Sequence, residues 1–339
     1  MSTVIDMNNF NPNIPYCAVS IVIPLYNAEK YIGDCLESLL AQTFQNFEVI
    51  IVNDCSTDNS VAIVKNYIPK FNGRLNLFHM EKNSGSGALP RNKGLILSRG
   101  EYIFFVDDDD LVTLTALEEL YTLAKFYKAD VVYCENIYIA TADLGSIDKG
   151  SATNKPSFES ENLIERVQSI MFNSYYVPPW HKFVRRNLML ENEIFFPNVT
   201  IAEDDIWTYG LVLYGKRFLR IPNAVYIQRQ TENSILRKKR TSRQEINFWI
   251  NPIIFGLKIL DNWMNRIEFF KKNPQYRYAV LKKFVQNKFG DALRAGNYLP
   301  SFAFYDTIQQ GFAEKLGEYD VLVSVLLAMI KDLQKVNET

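Results

Sequence analysis

The chain has 339 residues, of which 47% are hydrophobic and 22% charged, with 23 Phe and 19 Tyr. It can therefore bury a sizeable core, which excludes a peptide-sized, stapled or broadly disordered protein. The net charge of −1 conceals a division: residues 216–294 hold eighteen Lys/Arg against five Asp/Glu, so the rest of the chain is acidic.

Cys17, Cys35, Cys55 and Cys134 form no C-x-x-C pair and the chain has two histidines, which argues against a thiolate–imidazole zinc site. The segment 1–16, rich in Asn, reads as a tail with no apolar core behind a basic start. No uninterrupted apolar stretch reaches the ~18 residues of a spanning helix. A cytoplasmic protein is expected, and nothing in the pattern suggests nucleic acid as a partner.

The first half alternates short apolar runs with helical periodicity, the pattern of an α/β domain with a largely parallel sheet. Val19 to Ile23 reads as the first strand. Asn27 is placed to cap a helix with Tyr31, Ile32, Cys35, Leu36, Leu39 and Leu40 on one face. Phe47 to Val52 and Leu75 to Met80 read as strands, with a helix carrying Val61, Val64 and Ile68 between them. A Gly/Ser loop at 83–87 leads into a helix over 88–97. Tyr102 to Val106 is an apolar strand running into Asp107-Asp108-Asp109-Asp110.

A helix to about Tyr127 and a strand at Val131 to Cys134 follow, and the polar stretch from Ala140 to Pro156 reads as a mobile loop. Asn162 to Phe172 is expected to be helical, Pro178-Pro179 breaks the chain, and Glu203 to Leu213 is a helix opening with three acids. From Arg243 onward the pattern is helical, with an apolar seam at Ile253, Leu257, Leu260, Met264 and Ile267. Val321 to Ile330 is apolar but too short to span a bilayer.

Four features could carry chemistry. Carboxylates grouped at the C-terminal end of a strand repel one another unless a cation sits between them, and Mg²⁺ or Mn²⁺ suits one or two carboxylates plus phosphate oxygens. The bland alternative is an acidic loop capping the next helix. Asp54, just past the second strand, can accept a hydrogen bond from a base or ribose, while Ser56 or Thr57 serves as an ordinary cap. The loop Ser84-Gly85-Ser86-Gly87 is neither a dinucleotide fingerprint nor a Walker loop, but it could let Arg91 or a helix N-terminus approach a diphosphate. Glu203-Asp204-Asp205 suits a helix start, and equally suits a general base aimed into a cleft.

Taken together, Val19 to Asn27, Val52 to Asp58, Asn83-Ser84-Gly85 with Arg91 to Gly94, and Gly100 to Asp110 resemble the family 2 glycosyltransferases in motif order and spacing. The resemblance continues through Trp180 to Arg186 and Phe196-Pro197 to Glu203-Asp204, and so covers about residues 17–235. It implies a GT-A fold, inversion by single displacement, a UDP-sugar donor and Mn²⁺ or Mg²⁺.

Carried over, Tyr26 stacks on the uracil beside Pro24, Asp54 hydrogen-bonds it and Arg91 lies near the nucleotide. Tyr102-Ile103 sets the register, so that Asp107 contacts the ribose with Asp108 beside it and Asp109 is the metal ligand. Asp204 matches the catalytic base. Trp180, Lys182 and Glu203 would face the acceptor, with core packing the alternative for Trp180. A histidine that some relatives place after the acidic helix is missing from Tyr226-Ile227-Gln228-Arg229-Gln230, and His79 and His181 are read as structural.

The expected organisation is thus a tail (1–16), a GT-A domain (17–235, its nucleotide half 17–135 and its acceptor half 136–235) and a helical C-terminal domain (236–339). The expected partners are a UDP-sugar and a glycan or lipid-linked acceptor of bacterial surface-polysaccharide type. Arg237-Lys238-Lys239-Arg240 with Phe248 and Trp249 suggests peripheral contact with the inner membrane face, against homodimerisation or core covering. A sugar nucleotidyltransferase is disfavoured because Pro24-Leu25-Tyr26-Asn27 stands where a Gly-rich basic loop is needed. A non-catalytic sugar- or membrane-binding module is disfavoured by the retained acids.

Overall fold

The described part of the chain begins with a strand and builds outward from it. The computed structural model describes residues 17–149, 155–172, 178–231 and 242–294. In chain order the elements are β1 (Val19–Leu25), α1 (Ile32–Leu40), β2 (Phe47–Asn53), α2 (Ser60–Tyr67), β3 (Leu75–His79), α3 (Ala88–Leu97), β4 (Tyr102–Phe105), β5 (Leu111–Val112) and α4 (Ala116–Tyr127). There follow β6 (Val131–Ala140), β7 (Ile147–Lys149), β8 (Ser157–Phe158), α5 (Leu163–Phe172), β9 (Lys182–Arg185), α6 (Arg186–Glu191), α7 (Glu203–Tyr214) and β10 (Phe218–Arg229). Three helices close the described chain: α8 (Ser242–Asn265), α9 (Glu268–Lys272) and α10 (Pro274–Arg294).

The strands join in the order β3-β2-β1-β4-β9-β6-β10-β5, with β7 on β6 and β8 on β10. β1 runs parallel to both β2 and β4, and β2 parallel to β3, so the C-terminal ends of these four strands share one edge. The chain leaves β1 toward β2 and β3, then returns to β4 on the other side of β1. That reversal opens a crevice between the ends of β1 and β4. β9 runs antiparallel to β4 and to β6.

Alternation along the strands divides the core. Val19, Ile21 and Ile23 face the layer of α1, α2 and α4, whereas Val22, Ile103 and Phe105 face α3 and α7. The second layer also takes in Ile253, Leu257, Leu260 and Met264 of α8 and Leu281, Phe284 and Val285 of α10. The expected boundary near residue 235 is therefore not a gap in the packing, because α8 and α10 share one apolar cluster with α7.

Close approach of these helices depends on missing side chains. A Cβ on Gly210 of α7 would lie 2.8 Å from both Ile194 and Trp263, and one on Gly256 of α8 would lie 2.7 Å from Ile206. Overpacking a site of this kind destabilises by about 1–3 kcal/mol, so Gly210→Val lowers the midpoint of denaturant unfolding without changing the slope.

Two local expectations change. Asn27 does not cap α1, whose first turn has no side-chain cap; it adopts a left-handed φ of 51° and its Oδ1 accepts from the Thr57 N–H at 2.8 Å. Asn27 thus ties the turn after β1 to the turn after β2. Asn59, not Ser56 or Thr57, stands at the cap of α2, while Asp58 accepts from the Ser60 N–H at 3.0 Å. Part of the expected mobile stretch is β7, paired with the end of β6. The tail, residues 150–154, Arg237 to Arg240 and Val321 to Ile330 lie outside the described residues.

Candidate active site

The ends of β1, β2 and β4 supply the walls of a cleft of about 300 Å³, lined among others by Pro24, Tyr26, Asp54, Arg91, Asp107, Asp108 and Asp109. Parallel pairing gathers most of these residues, since Pro24 and Tyr26 lie at the end of β1, Asp54 follows β2 and Asp107 to Asp109 follow β4, while Arg91 comes from α3. Tyr26 is half exposed, and its N–H donates to Asp108 Oδ2 at 2.8 Å, tying the end of β1 to the acidic run after β4.

Asp54 is buried and already engaged: its carboxylate accepts from the Ser84 N–H at 3.0 Å and from the Ser84 hydroxyl at 2.8 Å. Asn83 Nδ2 donates to the Asp54 carbonyl at 2.8 Å, so Asp54 holds the Gly/Ser loop against the cleft. The loop then starts α3 at Gly87, where a Cβ would meet the Arg91 guanidinium at 2.8 Å. Glycine there is what lets Arg91 fold back over its own helix start.

Arg91 is buried, and its Nη2 donates to Asp107 Oδ1 at 2.8 Å. Its Nη1 stands 3.5 Å from Asp204 Oδ1 and 4.0 Å from Glu203 Oε1. One guanidinium therefore bridges the acidic run after β4 and the acidic start of α7. Burial alone would lower the Arg91 pKa, but Asp107, Asp204 and Glu203 together hold it above its ordinary value.

The four aspartates differ in task. Asp110 is buried and structural: Tyr226 donates its hydroxyl to Oδ2 and Arg229 its N–H to Oδ1, each at 2.7 Å. The same Tyr226 hydroxyl accepts from the Asp107 N–H at 3.0 Å. Asp107, Asp108 and Asp109 are half-buried and face the cleft. Burial and the Asp107 charge push Asp109 up to about 6, and burial above all pushes Asp108 well above the usual carboxylate range.

A set of oxygen donors short of positive charge fits a hard divalent ion. Among the described residues no three His, Cys, Asp or Glu side chains form a ready-made cage. Such an ion would keep positions for water and phosphate oxygens, as Mg²⁺ and Mn²⁺ commonly do. The segment lacking histidine brings other groups instead, and Thr231 Oγ1 lies 3.5 Å from Asp109 Oδ2.

Asp204 sits in the first turn of α7 with Oδ1 buried and no hydrogen-bond partner. Burial, then the Glu203 charge, raise its pKa well above the carboxylate range against the pull of Arg91. Ala202, immediately before α7, has a left-handed φ of 66°, as does Cys55 after Asp54 at 64°. Strained non-glycine backbone costs about 1–3 kcal/mol per residue and here flanks Asp54 and the acidic turn of α7.

The residues read as acceptor-facing divide. Glu203 lies at the site, but Trp180 is buried, stacked on Tyr226 at 4.8 Å with the rings 8° apart. Lys182 is fully buried; its Nζ donates to the Pro178 carbonyl at 3.0 Å and lies 5.8 Å from the Trp207 ring centroid. Burial lowers it to about 7, with Asp204 and Asp205 opposing. Both residues support the floor of the site from within the core and do not reach its opening. His181 is buried with Nδ1 2.7 Å from the Cys134 carbonyl, and burial holds it near 3, hence neutral and structural.

Tyr226, Arg229, Thr231 and Ser84 escaped the sequence reading as partners of the acids. A Ser beside the glycines was visible, but nothing local marks the residues of β10.

The sequence model described as Glycosyl transferase family 2 matches residues 20–188. Glycosyltransferase GlyG of Streptococcus pneumoniae is 32% identical over 65% of this chain and 73% of its own length. The poly(ribitol-phosphate) beta-N-acetylglucosaminyltransferase TarP of Staphylococcus aureus is 31% identical over 59% of each chain. The crystal structure of S. aureus TarS 1-349 in complex with UDP-GlcNAc superposes with a TM-score of 0.56 at 24% identity, covering 85% of this chain and 83% of that one. The fold is the expected GT-A fold with helices added at its C-terminal side. With its sheet, cleft and sequence in agreement, this chain belongs to glycosyltransferase family 2 and is a glycosyltransferase.

Proposed function

We propose that the protein moves a sugar from a UDP-sugar to a hydroxyl of a bacterial surface glycan or polyol-phosphate polymer, free or lipid-linked, with inversion at the anomeric carbon. The observation that carries this reading is the Arg91 bridge, which sets the donor-side Asp107 and the Asp204 oxygen, itself free of hydrogen bonds, on either side of one buried cation. UDP and UDP-GlcNAc are bound by TarS, and TarP acts on poly(ribitol-phosphate), which favours a related donor and acceptor class here.

In this reading Tyr26 offers its half-exposed ring to the base, and Asp54, through Ser84, shapes the loop that receives the nucleotide. Asp109 is the residue that would hold Mn²⁺ or Mg²⁺, and such an ion supplies positive charge for the departing diphosphate. Asp204 takes the proton of the acceptor hydroxyl as its oxygen bonds to C1 and the C1–O bond to the diphosphate breaks. No covalent enzyme intermediate forms. Arg91 holds Asp204 in place and balances the negative charge gathered between the two acidic turns.

The base works only as a carboxylate. Because its pKa is held well above the usual range, kcat/KM rises with pH through that pKa and falls on acidification, in a profile taken from about pH 5 to 9. The test of the function is to incubate the protein with UDP-sugars, Mn²⁺ and ribitol-phosphate or glycan acceptors, and to read released UDP and the anomeric configuration of the product by NMR. Turnover with inversion is expected; a product of retained configuration contradicts the single displacement.

No helix among the described residues is long and apolar enough to cross a membrane. A lipid-linked acceptor would bring the enzyme to the inner membrane face, and the basic run at 237–240 supports peripheral contact there.

A further inference from the structure

The first turn of α7 places Glu203, Asp204 and Asp205 in succession, largely out of water. Three adjacent buried carboxylates repel one another, and the cheapest relief is for one of them to keep a proton. A base at the middle position is useless in that state. Its charge depends on what faces the turn from the surrounding elements.

Those groups can be named. Arg91 of α3 stands against Glu203 and Asp204, and Lys182 of β9 is buried beneath the turn near Asp204 and Asp205. Asp107, after β4, adds a negative charge, and Tyr209 lies one turn further along α7 near Asp205. Among the described residues a further cation comes from the C-terminal helices: Lys288 Nζ of α10 lies 2.6 Å from Asp205 Oδ1, with both side chains buried.

The contact is built and not incidental. One turn before Lys288, Phe284 meets Tyr209 edge to face at 5.8 Å, so α10 runs antiparallel to α7 with two matched contacts. Arg277 at the start of α10 is pinned to the buried Asp261 of α8 by an Nη2–Oδ2 bond of 2.9 Å. Gly256 of α8 allows Ile206 and Phe284 to close beneath the acidic turn.

We infer that Lys288 is a positioning residue of the active site: by neutralising and holding Asp205, it leaves Asp204 free to act as the base, and makes α10 part of the catalytic apparatus. The inference rests on the assignment of Asp204 as the base. Lys288 lies in the basic C-terminal region whose charge the sequence otherwise suggests for membranes or solvent, and here that charge is directed inward.

The test is the pH profile of kcat and the donor KM, measured on the full chain. In Lys288→Met, the rising limb moves to higher pH by about one unit, so that kcat at pH 7 falls about tenfold and recovers in alkali, while the donor KM stays within about twofold. Lys288→Arg overlays the wild type. Adding Asp205→Asn to Lys288→Met removes the repulsion together with its counter-charge and returns the limb toward the wild-type position. If Lys288→Met does not fold, Lys288→Gln, which keeps a hydrogen-bond donor for Asp205, is read in the same way.

A Lys288→Met profile that overlays the wild type, or a rate lowered by one factor at every pH, overturns the inference and leaves Lys288 as packing. Asp204→Asn run beside these variants separates the two ideas. If it keeps full activity, the base assignment itself is wrong; if it is inactive while Lys288→Met matches the wild type, only the role of Lys288 fails.

Discussion

Replacing Asp204 by Asn lowers kcat by about 10²- to 10⁴-fold while leaving the donor KM within a few-fold of wild type. The amide keeps the volume and nearly the shape of the carboxylate, so α7 and its contacts with α8 and α10 persist. What is lost is the ability to accept a proton. The Asp204 Oδ1 accepts no hydrogen bond, and the Arg91 guanidinium 3.5 Å from it stays paired with Asp107 when the charge is removed. Removing a negative charge from a turn of three acids also relieves repulsion, so Asp204→Asn unfolds at or above the wild-type temperature. Steady-state rates beside a thermal melt check both halves, and a variant that loses stability in proportion to activity would point to a structural role.

Asp109→Ala has the second large effect, a fall in kcat of about 100- to 1,000-fold with loss of the response to added Mn²⁺. Asp109 faces the cleft and, unlike Asp110, is not fastened by two bonds to β10. Asp110→Asn acts differently. It disturbs the bonds from Tyr226 and Arg229, and so lowers stability before it touches the response to metal. Comparing the two in melts and in Mn²⁺-dependent turnover distinguishes the functional acid from the structural acid within a single run of four.

The contrast within that run shows how far the sequence carries the reading. Its place at the end of an apolar strand is legible because Tyr102 to Val106 is wholly apolar and sits next to β1 in a parallel sheet. Which aspartate turns inward is not legible, since Asp110 is claimed by Tyr226 and Arg229, more than a hundred residues away. The strands β1 to β4 and helix α3 follow the expected spans closely because each has its own periodicity and turn signals.

β10 escapes for a physical reason. Pro222 interrupts Phe218 to Arg229, and a proline inside a strand ordinarily argues against one. The structure accommodates it at a break in register between Ile221 and Ala224. β9 is four residues long and contains Lys182, whose burial no local pattern announces. Lys182 reads as an acceptor-facing group, and Trp180 as either that or core packing, for the same reason, because their neighbours Tyr133, Trp207 and Tyr226 come from three other elements.

The C-terminal helices have the periodicity of a core-covering layer at Ile253, Leu257, Leu260 and Met264, all of which are buried. Their charges carry no such signal. Lys288 is one of several lysines in its stretch of sequence, and only its placement opposite Asp205 gives it a role.

The measurement that tests the account most directly is a calorimetric titration of the protein with UDP in the presence and absence of Mn²⁺. The cleft between β1 and β4 predicts saturable binding at one site, tighter with the metal, with the metal-dependent part missing in Asp109→Ala. Binding that ignores Mn²⁺, or no UDP binding at all by the folded wild-type protein, would contradict the assignment of this cleft to a UDP-sugar donor.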